Sequence, residues 1–540
     1  MAVVEKPIEN KIKLIATNEY QEYDPSKEVS CWVDIKLEAP IFEEEDNKRA
    51  AVDLVAVIDR SGSMGGGKLD LVKKTLHFVV SQLAASDRIA LIVYDGNIDE
   101  IFPLTKITST NKSQIENKID SVQTGGSTNL CGGLLKGMQM VIERAGDKAD
   151  VASVLLLTDG HANAGISSQE GILRAMKTPY DMGMMQQQMS PGLFSNTNIA
   201  MPLFPPQQPQ MQQHMASPQQ LQQAPPQQFQ QAPPQQLQQA FPAPPPPAII
   251  GGASPLEPAD KKHPGDFEGT VYTFGFGNDH NASLLEEISN QGNGAYYYID
   301  SQEKVPESFA SCLGGLLSTV GQNITMTVEI SNGCVVKEFT AKNKPKYNEG
   351  RTRAEVALGD LQSEETRDVL MELKLPVSPA GDVKYCSVAL AYFNVITAVM
   401  ETIKLDLTVA RTNTGKPCVS NPTIDKERNR INITNAIKEA RENASAGQFK
   451  KGRDILSACE KQVKSSATSE DPLCKAMLID LADCLRGMED EQSYAGYGGK
   501  RMANMAQNYC NQRANFVPDA MQSQNVMYQT KAKSAMMKKF

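Results

Sequence analysis

Leu54-Val55-Ala56-Val57-Ile58-Asp59-Arg60-Ser61-Gly62-Ser63 is the stretch on which the reading of this chain turns. Five apolar residues in a row, without the alternation of a half-exposed strand, describe a strand buried on both faces. The run ends in a carboxylate followed by two serines, and a helical pattern begins near Lys68. An oxygen-rich loop at the carboxyl end of a buried strand is where a hard cation sits. Taken alone, the same loop also fits a turn capped by Asx and Ser side chains.

Two later segments favour the cation. Gly125-Gly126-Ser127-Thr128-Asn129-Leu130 opens a helical stretch, and Val154-Leu155-Leu156-Leu157-Thr158-Asp159-Gly160 is a second apolar strand ending in a carboxylate. Three loops distant in sequence therefore offer oxygen ligands. The set resembles the metal-ion-dependent adhesion site of von Willebrand factor A domains, whose pattern is D-x-S-x-S, a threonine in a second loop and an aspartate in a third. The resemblance implies that Asp59, Ser61, Ser63, Thr128 and Asp159 hold the ion, directly or through water. Mg2+ or Mn2+ suits these residues, because it takes oxygen ligands and is poorly served by sulfur or imidazole. Such a site is open to an Asp or Glu from a protein partner and is not a closed structural cage.

The fold class follows from the rhythm around these loops. Residues 54–58, 69–83 and 88–94 read as buried strand, amphipathic helix and buried strand. That is the pattern of an α/β fold with a doubly wound, mostly parallel sheet. Residues 180–258 interrupt it with Gln, Pro and Met, in repeats such as Ala224-Pro225-Pro226-Gln227-Gln228-Phe229. Such a composition cannot bury enough apolar surface to order itself. The rhythm resumes at Thr270-Val271-Tyr272-Thr273-Phe274-Gly275-Phe276-Gly277 and closes with Gly294-Ala295-Tyr296-Tyr297-Tyr298-Ile299. An A domain is thus expected over 49–179 and 259–318, split by a disordered insertion whose closure entropy a surface loop tolerates. The helix over 168–177 runs back from the metal-bearing strand ends, so the Gln/Pro-rich arm is expected to leave from the opposite face. Its expected role is a tether, a self-association segment or a plain spacer.

The flanks follow other patterns. Ile12-Lys13-Leu14-Ile15 and Val29-Ser30-Cys31-Trp32-Val33-Asp34-Ile35 read as two strands, too few to stand alone. Residues 319–415 continue as β, with Asn323-Ile324-Thr325-Met326-Thr327-Val328-Glu329-Ile330 alternating cleanly. An accessory β-sandwich over 319–415 that recruits the strands of 1–48 is the expected arrangement. Over 420–515 the apolar spacing becomes helical, as at Ile433, Ile437, Ala440 and Ala444, with breaks that divide it into about four antiparallel helices. Residues 516–540, rich in Met, Gln and Lys, read as a flexible tail.

This layout resembles a group of von Willebrand A proteins of protists, invertebrates and plants, in which the A domain is followed by β-rich and helical regions. The wider resemblance is carried by Thr273-Phe274-Gly275-Phe276-Gly277-Asn278-Asp279-His280 and by residues 292–300 and 494–513. Plant members carry a RING finger and are ubiquitin ligases, whereas the ten cysteines here include no C-x-x-C pair. Any ubiquitin role implied by the resemblance is that of a substrate adaptor acting with another protein.

Composition excludes other classes. A net charge of −9 over 540 residues leaves no footprint for nucleic acid, and no apolar run is long enough to span a bilayer. The segment Met1-Ala2-Val3-Val4-Glu5-Lys6-Pro7 lacks the apolar core of a secretory signal, and the scattered cysteines read as thiols of a reducing compartment. A cytoplasmic location is therefore expected. Cys459, Cys474 and Cys484 have no histidine nearby and read as core residues rather than zinc ligands. Gly65-Gly66-Gly67-Lys68 is not a phosphate loop, because Leu69 stands where Ser or Thr would hold magnesium. Gly275-Phe276-Gly277 lacks the third glycine of a dinucleotide fingerprint. A nucleophilic Ser63 would need His161 or His280 as its base, yet the serines are accounted for as ligands and the histidines read as rim residues. Arg60 occupies the unconstrained position of the motif, pointing to solvent or drawing an acidic ligand. The expected function is a non-enzymatic, divalent-cation-dependent protein-interaction module. The alternative is an intracellular scaffold or ubiquitin-ligase substrate adaptor in which the ion is only structural.

Overall fold

The structure is a computed structural model that describes residues 10–41, 49–146, 148–178, 267–412, 419–514 and 528–539. The chain begins with β1 (Lys13–Asn18), a two-residue β2 (Glu22–Tyr23) and β3 (Val29–Glu38); β1 pairs with β3, while β2 and β3 also find partners far downstream. The α/β unit follows, as β4 (Val52–Asp59), α1 (Lys68–Gln82), β5 (Arg88–Tyr94), β6 (Ile98–Lys106), α2 (Lys112–Asp120), α3 (Leu130–Ile142), β7 (Val151–Thr158), α4 (Gln169–Ala175), β8 (Thr270–Phe276), α5 (Ala282–Gln291), β9 (Asn293–Ile299) and α6 (Val305–Leu317). Its strands lie in the order β6-β5-β4-β7-β8-β9. All neighbours run parallel except β5 and β6. The unit is thus the doubly wound α/β sheet that the strand-helix rhythm indicates.

β4, β5 and β7 are buried along their whole length because helices cover both faces of the sheet. Val52, Leu54, Ala56 and Ile58 share a core with α1, α2 and α6. Val55 and Val57 share the other core, with α3, α4 and α5. β4 pairs with β5 on one side and β7 on the other. Its carboxyl end is therefore the switch point of the sheet, where open α/β folds place their ligands.

The low-complexity insertion expected over 180–258 falls within 179–266, outside the described residues. Its flanks are described. Thr270 pairs with Ser153 near the start of β7, and Gln291, at the end of α5, donates to Leu173 O in α4 at 2.9 Å. Both flanks lie toward the amino ends of the parallel strands, away from Asp59.

Seven more strands follow: β10 (Thr319–Ile330), β11 (Val335–Thr340), β12 (Lys346–Tyr347), β13 (Arg353–Gln362), β14 (Thr366–Leu375), β15 (Gly381–Asn394) and β16 (Val399–Arg411). With the first three they make two sheets, β1-β3-β14-β11 and β12-β13-β10-β15-β16-β2, around a shared core that includes Val33, Ile35, Met326, Val388 and Tyr385. β3 pairs with β14 from Val29↔Leu375 to Glu38↔Thr366, so the amino-terminal segment completes the sandwich.

The helical region comprises α7 (Pro422–Ser445), α8 (Phe449–Lys464), α9 (Pro472–Arg486) and α10 (Gly499–Asn511), packed around Ile437, Leu456, Met477, Leu481 and Tyr509. Before α10, Tyr494–Gly498 forms a single π-helical turn. A Cβ on Gly498 would overlap the carbonyl of Gly487, so only glycine fits there. α10 lies along the edge strand β9. Gln507 Oε1 accepts from Tyr296 N at 2.6 Å, and Asn504 Nδ2 donates to Tyr296 O at 2.8 Å. These two side chains occupy edge groups that would otherwise be free to template another strand.

The flexible tail expected over 516–540 needs correction. Lys531–Lys539 (α11) packs on α6, with Met536 buried in the α/β core. Gly314 lies close beneath it, since a Cβ there would come within 2.9 Å of Lys533 Cα. The Met- and Lys-rich composition conceals a one-sided apolar stripe of a single short helix. Residues 515–527 and 540 lie outside the described residues.

A buried ion pair ties the helical region to the sandwich. Arg513 donates from Nε to Glu365 Oε1 at 2.6 Å and from Nη2 to Oε2 at 2.7 Å. Burial pushes the Glu365 carboxyl up, but the charge and hydrogen bonds of Arg513 outweigh it and hold it down to about 2. A carboxyl lowered from its ordinary 4.5 stabilises the fold fully above that pH, and the contribution is lost as pH falls toward about 2. Arg513→Met is expected to cost roughly 3–5 kcal/mol in urea unfolding at neutral pH, because it removes both short hydrogen bonds to buried Glu365 and leaves Arg367, at 3.8 Å, as a poorer counter-charge. The difference from wild type is expected to shrink as pH drops from about 4.5 to about 2; a pH-independent difference would show that the pair is not the cause.

Candidate metal centre

Three adjacent strands of the sheet end in carboxylates: Asp59 closes β4, Asp95 follows β5 and Asp159 follows β7. Asp59 is fully buried. Its Oδ1 accepts from the Ser61 N–H at 2.8 Å and its Oδ2 from Thr158 Oγ1 at 2.7 Å. The chain then turns at once. Arg60 N donates to Tyr94 O, and Met64 N donates to Ser61 O across the short turn Gly62–Met64. This turn brings Ser61 Oγ and Ser63 Oγ to 3.0 Å from each other, and Ser63 Oγ donates to Asp159 Oδ1 at 2.7 Å. Asp59, Ser61, Ser63 and Asp159 thus form one continuous hydrogen-bonded chain.

Thr128 is brought to the same strand ends by its backbone. Gly62 N donates to Gly126 O at 3.1 Å and Gly125 N to Arg60 O at 2.6 Å. Thr128 N donates to Asn163 Oδ1 at 2.7 Å, while Thr128 O accepts from the N–H groups of Asn163 and Ala164. The threonine loop is therefore tied to both aspartate loops. Gly125 permits this closeness, since a Cβ would overlap the Asp95 carboxylate.

Three contributors lie outside the five-residue motif. Thr158 stands directly before Asp159, yet its hydroxyl bonds Asp59 on the neighbouring strand. Lys68 donates to Asp159 Oδ2 at 2.6 Å and to Ser63 O at 3.2 Å. Gly67, at φ 98°, turns the chain so that Lys68 can begin α1 above the loop. Asp95 follows Leu91-Ile92-Val93-Tyr94, the same order of apolar run and carboxylate that marks Asp59. Burial pushes Asp95 up, but the N–H groups of Asn97 and Gly126, with Arg60, hold it below the ordinary carboxylate range.

Two expectations are revised. Arg60 does not point freely to solvent, because it pairs with Asp99 and lies 3.5 Å from Asp95. His280 is not at the rim; it is buried, with Nε2 2.6 Å from Tyr296 Oη and Nδ1 3.2 Å from Phe276 O. Burial holds its imidazole down to about 4. With both nitrogens engaged, His280 is no base for Ser63, and His161 is exposed.

The chemistry of the set fits a hard divalent cation. Burial raises the Asp59 carboxyl, with the nearby Asp159 charge adding to it and the bonds from Ser61 and Thr158 opposing. A cation among these groups would relieve that cost. Lys68 already places one positive charge on Asp159. Among the described residues no three His, Cys, Asp or Glu side chains converge. A metal held here therefore depends on the serine and threonine hydroxyls, which favours magnesium or manganese over zinc.

Residues 53–184 match the family model of the von Willebrand factor type A domain, and residues 259–298 match a second model of it. The α/β unit is a von Willebrand factor type A domain. Residues 423–516 match the N-terminal region of the CPSF6-like RSLD domain. The E3 ubiquitin-protein ligase WAV3 of Arabidopsis thaliana is 23% identical over 79% of this chain and 44% of its own length. The uncharacterized protein YfbK of Escherichia coli is 32% identical over 31% of this chain and 28% of its own. Human inter-alpha-trypsin inhibitor heavy chain H3 is 31% identical over 22% of this chain and 14% of its own. The chain thus spans less than half the length of these relatives. A von Willebrand factor type A structure from Catenulispora acidiphila superposes with a TM-score of 0.57 over 92% of this chain and 96% of that one, at 11% identity. The ArnB paralog VWA2 from Sulfolobus acidocaldarius gives 0.50 over 92% and 99%, at 10% identity. The likeness in fold therefore extends beyond the A domain.

Lys68→Gln removes the ammonium that sits on Asp159. Its divalent-cation affinity, measured by calorimetry, is expected to rise about fivefold, roughly 1 kcal/mol of relieved repulsion at a partly exposed site. An unchanged affinity would place the ion away from Asp159.

Proposed function

We propose that the A domain is a divalent-cation-dependent protein-interaction module. In this reading Asp59, Ser61, Ser63, Thr128 and Asp159 hold Mg2+ or Mn2+, directly or through water, and an Asp or Glu of a partner protein completes the shell. The observation that carries it is the hydrogen-bonded chain running from buried Asp59, through the N–H and hydroxyl of Ser61, to exposed Ser63 and on to buried Asp159. Both ends are anchored in the core, and Ser63 between them faces solvent, where a docking partner could reach it. The ion would supply charge and an open coordination position. Asp59 and Thr158 would hold the inner wall, and the backbone bonds of Gly125 and Gly126 would keep the Thr128 loop in reach. The domain does no chemistry of its own in this reading and works in the cytoplasm. The Gln/Pro-rich arm offers a separate means of self-association.

A second reading is favoured by the relatives named as E3 ubiquitin-protein ligases, one of which matches 79% of this chain. With no C-x-x-C pair in the sequence, the chain would act as a substrate-binding adaptor beside a ligase, with the ion as a structural brace. Calorimetry with Mg2+ and Mn2+ on wild type and Asp59→Ala, followed by partner capture with and without chelator, separates the two. Saturable metal binding that Asp59→Ala abolishes, with partners released by chelator, is the expected result. Absence of metal binding, or partners indifferent to chelation, would refute the docking role and favour the adaptor or scaffold.

A further inference from the structure

At the other end of the sheet from Asp59, the three modules meet around a cleft of about 90 Å³ that opens to solvent. Asn293 at the start of β9, Lys342 just after β11, Arg367 in β14, Lys438 in α7 and Arg513 after α10 all line it. Five lining residues are cationic, these four and Arg430, against the carboxylates of Asp360 and Asp368.

The balance of charge is uneven once pairs are removed. Arg513 is neutralised by Glu365 and Arg430 by Glu427, each at 2.6 Å. Asp368 faces Lys36 at 3.5 Å. Lys342 donates to a neutral acceptor, Gly294 O, at 3.1 Å. Lys438 has Cys510 Sγ at 4.0 Å. Arg367 gives its Nη atoms to the carbonyls of Leu358 and Asp360 and meets Glu365 only at 3.8 Å, where Arg513 already holds both oxygens. Three cations thus converge with Asp360 as the one lining carboxylate, among the described residues, not already opposite a cation.

Polar groups in the same lining are also left over. Arg367 is 9% exposed, and among the described residues its Nε has no hydrogen-bond partner; neither do Thr340 Oγ1 and Asn511 Oδ1. A buried guanidinium N–H left unpaired is costly and calls for an acceptor from outside the chain. Burial, with the neighbouring charge of Arg513, pushes the Lys342 ammonium down to about 7 and Arg367 down to about 10. Both shifts are in the direction that uncompensated positive charge produces.

We propose that this cleft binds a phosphate-bearing small molecule, with its anionic group held by Lys342, Lys438 and Arg367 and its remainder facing Asn293, Thr434 and Asn435. Three donors arriving from three directions match a tetrahedral, doubly charged group better than a planar monoanion. Since the donors come from the sandwich and the helical region and Asn293 from the A domain, the ligand would clamp all three.

The test uses the full chain freed of divalent cations by chelator and titrated calorimetrically with inorganic phosphate and with pyrophosphate at matched ionic strength. Saturable binding, tighter for pyrophosphate and accompanied by a raised Tm, is expected. Lys342→Gln and Lys438→Gln, both at partly exposed positions, are each expected to weaken it about tenfold, the value of one charge-assisted hydrogen bond. Their unliganded Tm verifies folding, and Asp59→Ala is expected to bind as wild type does. No saturable binding of either anion, binding that survives both lysine substitutions, or binding lost in Asp59→Ala would each overturn the proposal.

Discussion

A single strand buried on both faces, Val52–Asp59, carries a carboxylate near each end, and a buried carboxylate must be answered by its surroundings. The two are answered differently. Asp53 takes Arg88 in two bonds of 2.6 Å, Arg144 at 3.2 Å and the N–H of Ala149 at 3.2 Å. That end is closed, its carboxylate answered by two guanidinium groups. Asp59 receives a backbone N–H and a hydroxyl, both uncharged, and its negative charge remains to be met from beyond the strand. The same residue type on the same strand is thus paired with cations at one end and bonded only to uncharged groups at the other.

How much of this could be read from sequence depends on whether the information is local. β4 and β7 are legible because an unbroken apolar run leading into an oxygen-rich loop fits little except a strand covered on both faces. The face each residue takes is not legible, since Ile58 and Val57 are equally apolar and almost equally buried. Asp59, Ser61 and Ser63 stand in one short motif, whereas Thr158 and Lys68 join them only because β7 lies beside β4 and because Gly67 redirects the chain. His280 follows a strand end, the usual place of a rim residue. Its burial depends on Gly275, where a Cβ would overlap the imidazole, so the glycine makes room for the ring. The alternation of β10 announces a strand, but nothing local announces that β3 pairs with β14.

The modules protect one another's weak points. An A-domain sheet ending in β9 would present its backbone to any passing strand, and α10 answers with the amides of Asn504 and Gln507 rather than with another strand. The sandwich in turn lacks an edge until β1 and β3 return to it. Neither the helical region nor the amino-terminal segment is therefore an appendage. The likeness to the Catenulispora acidiphila structure over 92% of this chain agrees with modules that travel together.

The position of the insertion divides the chain in a useful way. Every loop of the metal centre is encoded before residue 179, and every residue lining the cationic cleft comes after residue 266. The two halves meet along β7 and β8, from Ser153↔Thr270 to Thr158↔Gly275, with the Ser153 and Thr270 hydroxyls 2.6 Å apart, and again along β3 and β14. A gene cut at the insertion would yield two fragments with matched sheet edges, each carrying one of the two proposed ligand sites. Such a pair has the layout of a split reporter, in which reassembly of the sheet brings together functions that neither fragment encodes alone.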